Sequence, residues 1–439
     1  MAADALGLIR REAIRLDGSR RVGQILDLIG DQIVVLLGEA THGTHEFYDI
    51  RAHLTQALIA SRGFNIVALE ADWPDAHRAS EWARGSDTDQ SAGDALAGFE
   101  RFPRWMWRNR VMLRFLEWLR EHNLKEPAGR RPGVYGLDLY SLHRSMAAVL
   151  EYLAGVDPAA AWLARDRYAC FDVFGEDPQT YGHATTRGLA PPCDREVVSQ
   201  LLDLQRRAAE YVSRDGRVAA DAYFSAEQNA RVVSDAETYY RVMFGSGRES
   251  WNLRDRHMMA TLEAVIHHVQ RFNGHARAVV WAHNSHLGDA RATQMSAMGE
   301  INLGQLVRER FGGAALSIGF TTHAGSVTAA RQWDAAAELM TVRPSRPGSY
   351  ERLFHDTGLE AFVLDLHGAA GAALGPPLLE RAIGVVYRPD TERQSHYFSA
   401  SLARQFDLVV HVDETRGVEP LELWSRRDAD LPETWPTGV

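Results

Sequence analysis

Eight short apolar runs limit the fold of this chain more than any other feature of its sequence. Each run has four to six residues, is rich in β-branched or other apolar side chains and shows little alternation with polar positions. Continuous runs of this length are typical of strands that are covered on both faces of a sheet. The runs are residues 33–37, 65–69, 134–137, 276–281, 315–320, 361–366, 383–387 and 408–412.

Amphipathic stretches separate most of these runs. After the first run, residues 45–60 carry Phe47, Ile50 and Leu54 at helical spacing, and Thr44 is a residue type that caps the start of a helix. The order strand–helix–strand predicts the α/β fold class, with a largely parallel central sheet flanked by helices.

The segment 141–273 contains no strand-like run and is rich in Ala, Arg, Leu and Glu. It predicts a large helical insertion that covers a cleft, between the two parts of an α/β core at 1–140 and 274–427. A connection this long in a compact domain is usually functional, so we expect it to form one wall of the cleft and to select the substrate. Residues 428–439, which include two prolines, predict a surface tail.

The composition of the 439-residue chain excludes several classes of function. The net charge of −10 disfavours nucleic acid as a partner, because binding to phosphates needs a cationic surface. No apolar run approaches the length of a membrane span, so we expect no membrane partner. The single lysine, Lys125, rules out a P-loop.

The two cysteines, Cys170 and Cys193, predict neither a metal site nor a disulfide framework. The start of the chain has no basic flank followed by an apolar block, and so predicts no export signal. Together these features favour a cytoplasmic location, where cysteines stay reduced.

Polar residues follow four of the apolar runs. In a parallel sheet the carboxyl ends of the strands meet at one edge, where α/β proteins bind their ligands. We therefore expect these residues to line a single cleft. They are Glu39, His42 and His45 after the first run, Glu70, Asp72 and Trp73 after the second, Asp138 and Tyr140 after the third, and His283 and His286 after run 276–281.

The chemistry that suits this set is hydrolysis by an activated water. The sequence has no G-x-S-x-G nucleophile elbow and no H-E-x-x-H zinc helix. A neutral imidazole that is held by a carboxylate can take a proton from water near neutral pH. Arg51 lies about two helical turns beyond His42, where it can hold a glutamate or an oxyanion.

A metal-dependent hydrolase is an open alternative, because the two histidine pairs are each spaced three residues apart. With two glutamates they offer ligand types that suit zinc or another divalent ion. The candidate ligands are Glu39, His42, His45, Glu70, His283 and His286. We expect no cofactor, with this divalent metal as the exception.

A second alternative is a protein that binds a ligand in the cleft without converting it. Haem is one candidate for that ligand, because histidine side chains can coordinate its iron.

Eight sequence blocks resemble, in order, those of the erythromycin esterase-like family, over about residues 30–415. The resemblance implies an α/β core with a helical subdomain and a deep cleft. It also implies hydrolysis of carboxylic esters or lactones with a histidine-activated water instead of a serine nucleophile. The blocks are GEATHGTHEFYDIR, ALEADWPDAH, ERFPRWMWRN, YGLDLYSLHRS, EQNARVVSDAETYYRVM, SWNLRDRHM, WAHNSHLGDAR and GEINLGQLVRERFG.

The resemblance also implies roles for individual residues. The general-base histidine of the family falls on His42. The other catalytic residues that it implies are Glu39, Arg51, Glu70, His283 and His286. Characterised members hydrolyse the lactone ester of macrolide antibiotics, but antibiotic resistance belongs to few members, so the small-molecule ester or lactone stays open, as does the oligomeric state.

Aromatic and acidic residues near these positions are candidates for contacts with the substrate. Trp105 and Trp107 suit the wall of a large apolar site, although we expect at least one of them to be core. The remaining candidates are Asp72, Trp73, Asp138, Tyr140 and His45. Arg254 and Asp255 are expected to support other side chains of the site or to form salt links between helices, and not to take part in catalysis.

Overall fold

The computed structural model describes residues 2–16, 21–213 and 216–422; the predicted tail 428–439 lies outside them. The strands are β1 (Ile14–Arg15), β2 (Val34–Leu37), β3 (Ile66–Asp72), β4 (Gly133–Asp138), β5 (Ala278–Trp281), β6 (Ala315–Ala329), β7 (Glu338–Val342), β8 (Ala361–Asp365), β9 (Leu378–Arg381), β10 (Tyr397–Ala400) and β11 (Leu408–Thr415). The helices before the helical segment are α1 (Ala2–Glu12), α2 (Arg21–Ile29), α3 (His45–Arg62), α4 (Trp73–Ala83), α5 (Ala92–Leu96) and α6 (Arg110–Asn123).

The helical segment contains α7 (Leu142–Val156), α8 (Pro158–Tyr168), α9 (Pro178–Thr186), α10 (Asp194–Arg206), α11 (Ala208–Val212), α12 (Gly216–Met243) and α13 (Gly247–Asn273). After it come α14 (Asn284–Leu287), α15 (Leu303–Phe311), α16 (Tyr350–His355), α17 (Ala369–Ala373), α18 (Glu392–Ser395) and α19 (Leu402–Gln405).

The main sheet of the described chain has nine strands, and its order confirms the predicted fold class. The strands run β1-β8-β11-β6-β2-β5-β3-β4, and β7 pairs with β6 beside this path. The six strands from β11 to β4 are parallel to their neighbours. Strands β1, β7 and β8 join antiparallel, while β9 and β10 form a separate hairpin-like pair.

Seven of the eight apolar runs lie in strands, but the prediction of a strand at 383–387 is wrong. In this segment Ile383 bridges Thr41, whereas Val386 bridges Ala330. Because the segment changes its bonding partner within three residues, no continuous ladder of hydrogen bonds forms. Its apolar side chains are buried as a loop that crosses the end of the sheet.

The helical segment packs around α12, the longest helix, which contacts α7, α9, α10 and α13. Its buried side chains, including Val149, Tyr181 and Val233, form a cluster separate from those on the two faces of the sheet. The helical insertion of the predicted fold is therefore present. The division of the chain into domains at 140 and 273 stays a prediction.

The prediction that the cysteines form no disulfide is wrong, since Cys170 and Cys193 are joined to each other. The bond links the turn after α8 to the start of α10, and helix packing brings the two Cα atoms to 6.0 Å. Two cysteines separated by 23 positions give no sign of such packing. Because disulfides are rare in the cytoplasm, the bond removes the cysteine argument for a cytoplasmic location, which stays a prediction. Among the described helices, none has the length and hydropathy needed to span a bilayer.

Close packing explains the glycine in the loop that follows β2. A Cβ atom on Gly43 would overlap the backbone of Thr328 in β6. The carbonyl of Gly43 accepts hydrogen bonds from the backbone N–H groups of Thr328 and Val418, at 3.0 and 2.8 Å. Thr44 does occupy the N-cap position of α3, but its side chain makes no capping bond and instead pairs with the hydroxyl of Thr41.

We expect Gly43→Ala to lower the free energy of unfolding by about 1–3 kcal/mol, because the added methyl group forces the loop away from β6. Urea unfolding of the purified variant measures this change. Gly23→Ala in α2 is the matched control, since nothing lies within 4 Å of an added Cβ there, and it should stabilise by up to about 1 kcal/mol. A Gly43→Ala midpoint equal to that of the wild type would contradict the packing argument.

Candidate active site

Four neighbouring strands of the sheet, in the order β2-β5-β3-β4, deliver the predicted polar residues to one place. There they border a cavity of about 600 Å³. The cavity is lined by His42 after β2, Glu70 and Asp72 in β3, Asp138 at the end of β4 and, after β5, His283 and His286. Glu39 lies directly behind His42. The structure thus brings these residues together, but not His45 and Trp73, which sequence reasoning placed with them.

A bulge in β3 directs its acidic end toward the cavity. The pairing with β4 jumps from Leu69 opposite Gly136 to Asp72 opposite Asp138, so β3 holds one additional residue. Bulges bend a strand and redirect its side chains, and they are frequent beside active sites. Here the bulge places Glu70 and Asp72 on the cavity wall.

A buried chain of three side chains ends at His42. The Nη2 atom of Arg51 donates to Glu39 Oε2 at 2.5 Å, and His42 Nδ1 lies 2.8 Å from Glu39 Oε1. A carboxylate only accepts hydrogen bonds, so Nδ1 carries the proton and the Nε2 atom of a neutral His42 is free to accept one. Arg51 is fully buried, packs over the rings of Tyr48 and Trp281, and does not line the cavity. In this position Arg51 can orient Glu39, but it does not reach an oxyanion in the cavity.

Arg254 forms the second buried charge cluster, and sequence reasoning did not assign it to the site. Its guanidinium donates to Glu70 Oε1 at 2.7 Å and to the two oxygens of Asp138 at 3.0 and 2.7 Å. Burial raises the pKa of the Glu70 carboxyl, but His286 and Arg254 outweigh burial and hold that pKa well below its usual range. Burial likewise opposes ionisation of Asp138, and Arg254 again prevails and lowers the pKa.

His286 is held between a carboxylate and an aromatic ring. Its Nδ1 atom lies 2.9 Å from Asp255 Oδ1, and Trp251 stacks on its ring at a centroid distance of 4.5 Å. Its Nε2 atom lies 3.0 Å from Arg254 Nη1 and 3.4 Å from Glu70 Oε1. Burial lowers the pKa of His286, but the charges of Asp255 and Glu70 outweigh this and raise it above the usual value.

His283 has the opposite electrostatic environment. Burial, reinforced by the nearby His42, lowers the pKa of its imidazole to about 3. The Nδ1 atom of the neutral ring accepts from the backbone N–H of Ser285 at 3.2 Å, so the ring proton is on Nε2. That atom is buried and makes no hydrogen bond of ordinary geometry with a described residue. An interaction with the Ala40 backbone raises the pKa of His283 and so offsets part of the effect of burial. The ring centres of His42 and His283 are 4.8 Å apart.

The walls of the cavity are mostly apolar and come from three parts of the chain. Side chains from α12 and α13 of the helical segment line the same cavity as His42. The larger wall residues are Phe99, Phe102, Met106 and Trp107 before α6, Tyr239, Tyr240, Met243 and Trp251 from the helical segment, and Met295, Met298, Trp333 and Phe398 from the last third of the chain. Tyr140, at the end of β4, lies under two arginines, with Arg101 and Arg254 within 4.9 Å of its ring centre.

Two predicted substrate contacts, Trp73 and Trp105, lie elsewhere. Trp73 is 1% exposed and packs in the core against Tyr135 and Phe224. Trp105 is also buried in the core, whereas Trp107 reaches the cavity. Large aromatic side chains suit a core and a binding wall equally well, so the sequence does not separate the two roles.

His45 begins α3 and does not line the cavity, although it follows His42 by three residues. The chain turns at Gly43, where the backbone is pinned to β6, and α3 then runs away from the cavity edge. The backbone N–H of His45 donates to the carbonyl of Arg416 at 2.8 Å. The structure therefore does not bring His45 to the cavity with the other predicted residues.

The predicted metal ligands do not converge as a compact set. The oxygens of Glu39 are bonded to His42 and Arg51, and those of Glu70 to Arg254 and the backbone N–H of His283. Within the described ranges, the one group of three side chains with ligand atoms less than 4.8 Å apart lies outside this cavity. The donor set beside His42 thus fits a network of paired charges better than a resident ion.

Comparisons with known proteins agree with this architecture. An Escherichia coli protein described as erythromycin esterase type II is 23% identical over 315 residues, which are 69% of this chain and 72% of that protein. The crystal structure of a succinoglycan biosynthesis protein superimposes with a TM-score of 0.75 at 20% identity, covering 96% of this chain and 99% of the other. A mutant of the erythromycin esterase EreC in its open conformation gives a TM-score of 0.66 at 18% identity, covering 92% and 96%.

At these identities the structural likenesses show the fold alone. The sequence model of the family described as erythromycin esterase matches residues 59–415. The match begins after Glu39, His42 and Arg51, so the arrangement of those three side chains rests on their geometry in this chain. It covers Glu70, Asp138 and Arg254 together with both histidines after β5. The extent of the match places the chain in the erythromycin esterase family.

Proposed function

We propose that the protein is a carboxylic-ester or lactone hydrolase in which His42 acts as the general base toward water. The buried chain Arg51–Glu39–His42, which ends at a cavity of about 600 Å³, is the observation that carries this proposal. The esterase names of the curated relatives support the reaction type.

The first step is attack by water on the carbonyl carbon of the ester. The Nε2 atom of His42 takes one proton of the water as the oxygen forms its bond to carbon. The Glu39 carboxylate stabilises the imidazolium that results, and Arg51 holds Glu39 in place. The imidazolium then returns the proton to the alkoxide as the carbon–oxygen bond breaks, which leaves an acid, an alcohol and a neutral His42.

His283 is suited to stabilise the oxyanion of the tetrahedral intermediate. Its neutral ring lines the cavity beside His42, with its proton on the buried Nε2 atom and its Nδ1 atom occupied by the backbone of Ser285. A donor that is oriented in advance and shielded from water stabilises developing negative charge strongly. Arg254 lies on the same side of the cavity, where it holds Glu70 and Asp138 and faces His286.

The substrate class is a large, mostly apolar ester or lactone, and a macrolide-type lactone is a member of it. The cavity has the volume of a site for a drug-sized molecule. Its walls carry Met243, Met295, Met298, Trp251 and Trp333 around a charged floor. A small, strongly polar ester would leave most of this apolar surface without contacts.

We expect His42→Ala to reduce turnover by about two to four powers of ten, because a positioned general base contributes that much. The measurement is a mass-spectrometric screen of intact macrolides and simple lactones for addition of one water, followed by rates on the best substrate. His45→Ala is the matched control, since it is a nearby histidine outside the cavity, and it should keep the wild-type rate. Full activity of His42→Ala with an unchanged thermal midpoint would remove His42 as the base.

The same mass-spectrometric screen, together with an absorbance spectrum of the purified protein, separates the hydrolase from a protein that only binds haem in the cleft. A colourless protein that adds water to a lactone supports the hydrolase. A Soret band in the absorbance spectrum together with no hydrolysis of any ester would favour the binding protein.

The lowered pKa of His283 predicts a loss of stability in acid. Below about pH 6.5 the unfolded chain binds a proton on this residue, whereas the folded chain does not until about pH 3, so stability falls with pH in that window. Between about pH 7.5 and about pH 5 this residue accounts for about 2 kcal/mol of lost stability. Urea unfolding at these two pH values should therefore show a loss of stability that is smaller by about 2 kcal/mol in His283→Gln than in the wild type. His53→Gln, at an exposed position, should lose as much as the wild type, and equal losses in all three proteins would contradict a neutral buried His283.

Metal dependence gives a further test of the proposed base. If His42 activates water without a metal, prolonged dialysis against a chelator leaves the rate unchanged. Loss of activity that one divalent ion restores, with the thermal midpoint unchanged throughout, would instead place Glu39, His42, Glu70 and His283 in ligand roles.

A further inference from the structure

A second cluster of histidines lies outside the cavity, on the other half of the sheet. It consists of His323 in β6, His355 at the end of α16 and Asp413 in β11. One ligand atom from each side chain lies within 4.8 Å of the other two, and none of the three lines the cavity. His323 is buried, while the side chains of His355 and Asp413 are 37% and 27% exposed, so the cluster opens to solvent on one side.

The ligand atoms are held by neighbouring side chains, as is usual for metal sites. The Nδ1 atom of His323 lies 2.6 Å from the hydroxyl of Ser345, which leaves Nε2 for a ligand. The Nε2 atom of His411 lies 3.3 Å from Asp413 Oδ1. His411 is itself fully buried, and its Nδ1 atom is 2.9 Å from the hydroxyl of Thr321. These contacts fix the orientation of His323 and Asp413 within the cluster.

A small movement of His355 would complete the geometry. Its ring now stacks on that of His323 at a centroid distance of 3.6 Å, and its Nδ1 atom lies 2.9 Å from Asp413 Oδ1. Ligand atoms around a tetrahedral zinc ion lie about 3.4 Å apart, given bonds of about 2.1 Å. The separation of up to 4.8 Å is therefore closed by about 1.4 Å of movement, which a tilt of one ring can supply. His355 is the ligand with room to tilt, since its side chain is partly exposed.

We propose that His323, His355 and Asp413 form a binding site for a divalent transition-metal ion, with Zn²⁺ as the best fit. Two imidazoles and one carboxylate match the ligand preferences of zinc, and the open side leaves a position for water. Magnesium and calcium prefer sites made of oxygen atoms, which this cluster does not provide. A bound ion would join the end of α16 to the parallel pair β6–β11, and so would stabilise the folded chain.

The test is direct binding of Zn²⁺ to protein that has first been stripped of metal with a chelator. Elemental analysis after gel filtration should give one tightly bound zinc per chain, and the thermal midpoint should rise when zinc is added. Co²⁺ in place of Zn²⁺ should give the visible absorption of a tetrahedral site. We expect His355→Ala to weaken zinc binding at least about tenfold and to remove the rise in the thermal midpoint.

Three further variants separate this site from other histidines. His367→Ala, an exposed histidine 3.2 Å from Asp407, is the matched control and should bind zinc like the wild type. His42→Ala should also bind it normally, which keeps the test independent of the proposed hydrolase. Asp413→Asn retains most of the side-chain shape and should weaken binding as His355→Ala does. The proposal is overturned if the wild type binds no stoichiometric zinc, if His355→Ala and Asp413→Asn bind it as tightly as the wild type, or if His42→Ala alone loses it.

Discussion

The guanidinium of Arg254 is the interaction on which the arrangement of the cavity depends. It lies between the carboxylates of Glu70 and Asp138, at the ends of two neighbouring strands. Without it, two buried carboxylates would repel each other, and removing one partner of a buried ion pair typically costs about 3–5 kcal/mol. Because Arg254 belongs to α13, the same contact fastens the helical segment over the carboxyl edge of the sheet. The same ion pairs therefore neutralise the buried carboxylates and hold the helical wall of the cavity in place.

His283, the N-cap of the short helix α14, and His286 within that helix show how far the local environment can separate the pKa values of two identical side chains. His283 is buried, and it stands next to another imidazole, so its pKa falls to about 3. His286, three residues later, faces Asp255 and Glu70, which raise its pKa above the usual value. The pKa values of these two imidazoles therefore depart from the usual value in opposite directions. Opposite shifts of this kind mark residues with different roles in one site.

The sequence was sufficient to locate the residues that follow strands, and insufficient for those that arrive on helices. Glu39, Glu70, Asp138 and His283 were found because parallel strands end at the same edge, which depends only on the order of apolar runs. Arg254 is 116 positions from Asp138, and only the packing of α13 on the sheet brings the two together. The signal that could have found it is an imbalance of charge, since several acidic residues at strand ends need buried cations.

The remaining errors have the same origin in long-range packing. The disulfide depends on the packing of α8 against α10, and the bridges at Ile383 and Val386 depend on which part of the sheet edge the loop crosses. The cores that enclose Trp73 and Trp105 are likewise built from segments far apart in the chain. None of these contacts leaves a periodic pattern in the sequence. Each depends on two distant segments packing together, and neither segment alone has an unusual sequence.

The side chains proposed for the chemistry and the walls proposed to select the substrate lie on different elements of this fold. The side chains beside the proposed water site are fixed by the sheet, by the backbone of Ser285 and by buried ion pairs. The walls come from Met243 on α12 and from side chains such as Met298, which is 50% exposed. Methionine adapts its shape to different partners, and an exposed wall residue can change without uncovering a buried charge. The cavity can thus be reshaped for another ester while the Arg51–Glu39–His42 chain stays intact, because no wall residue takes part in that chain.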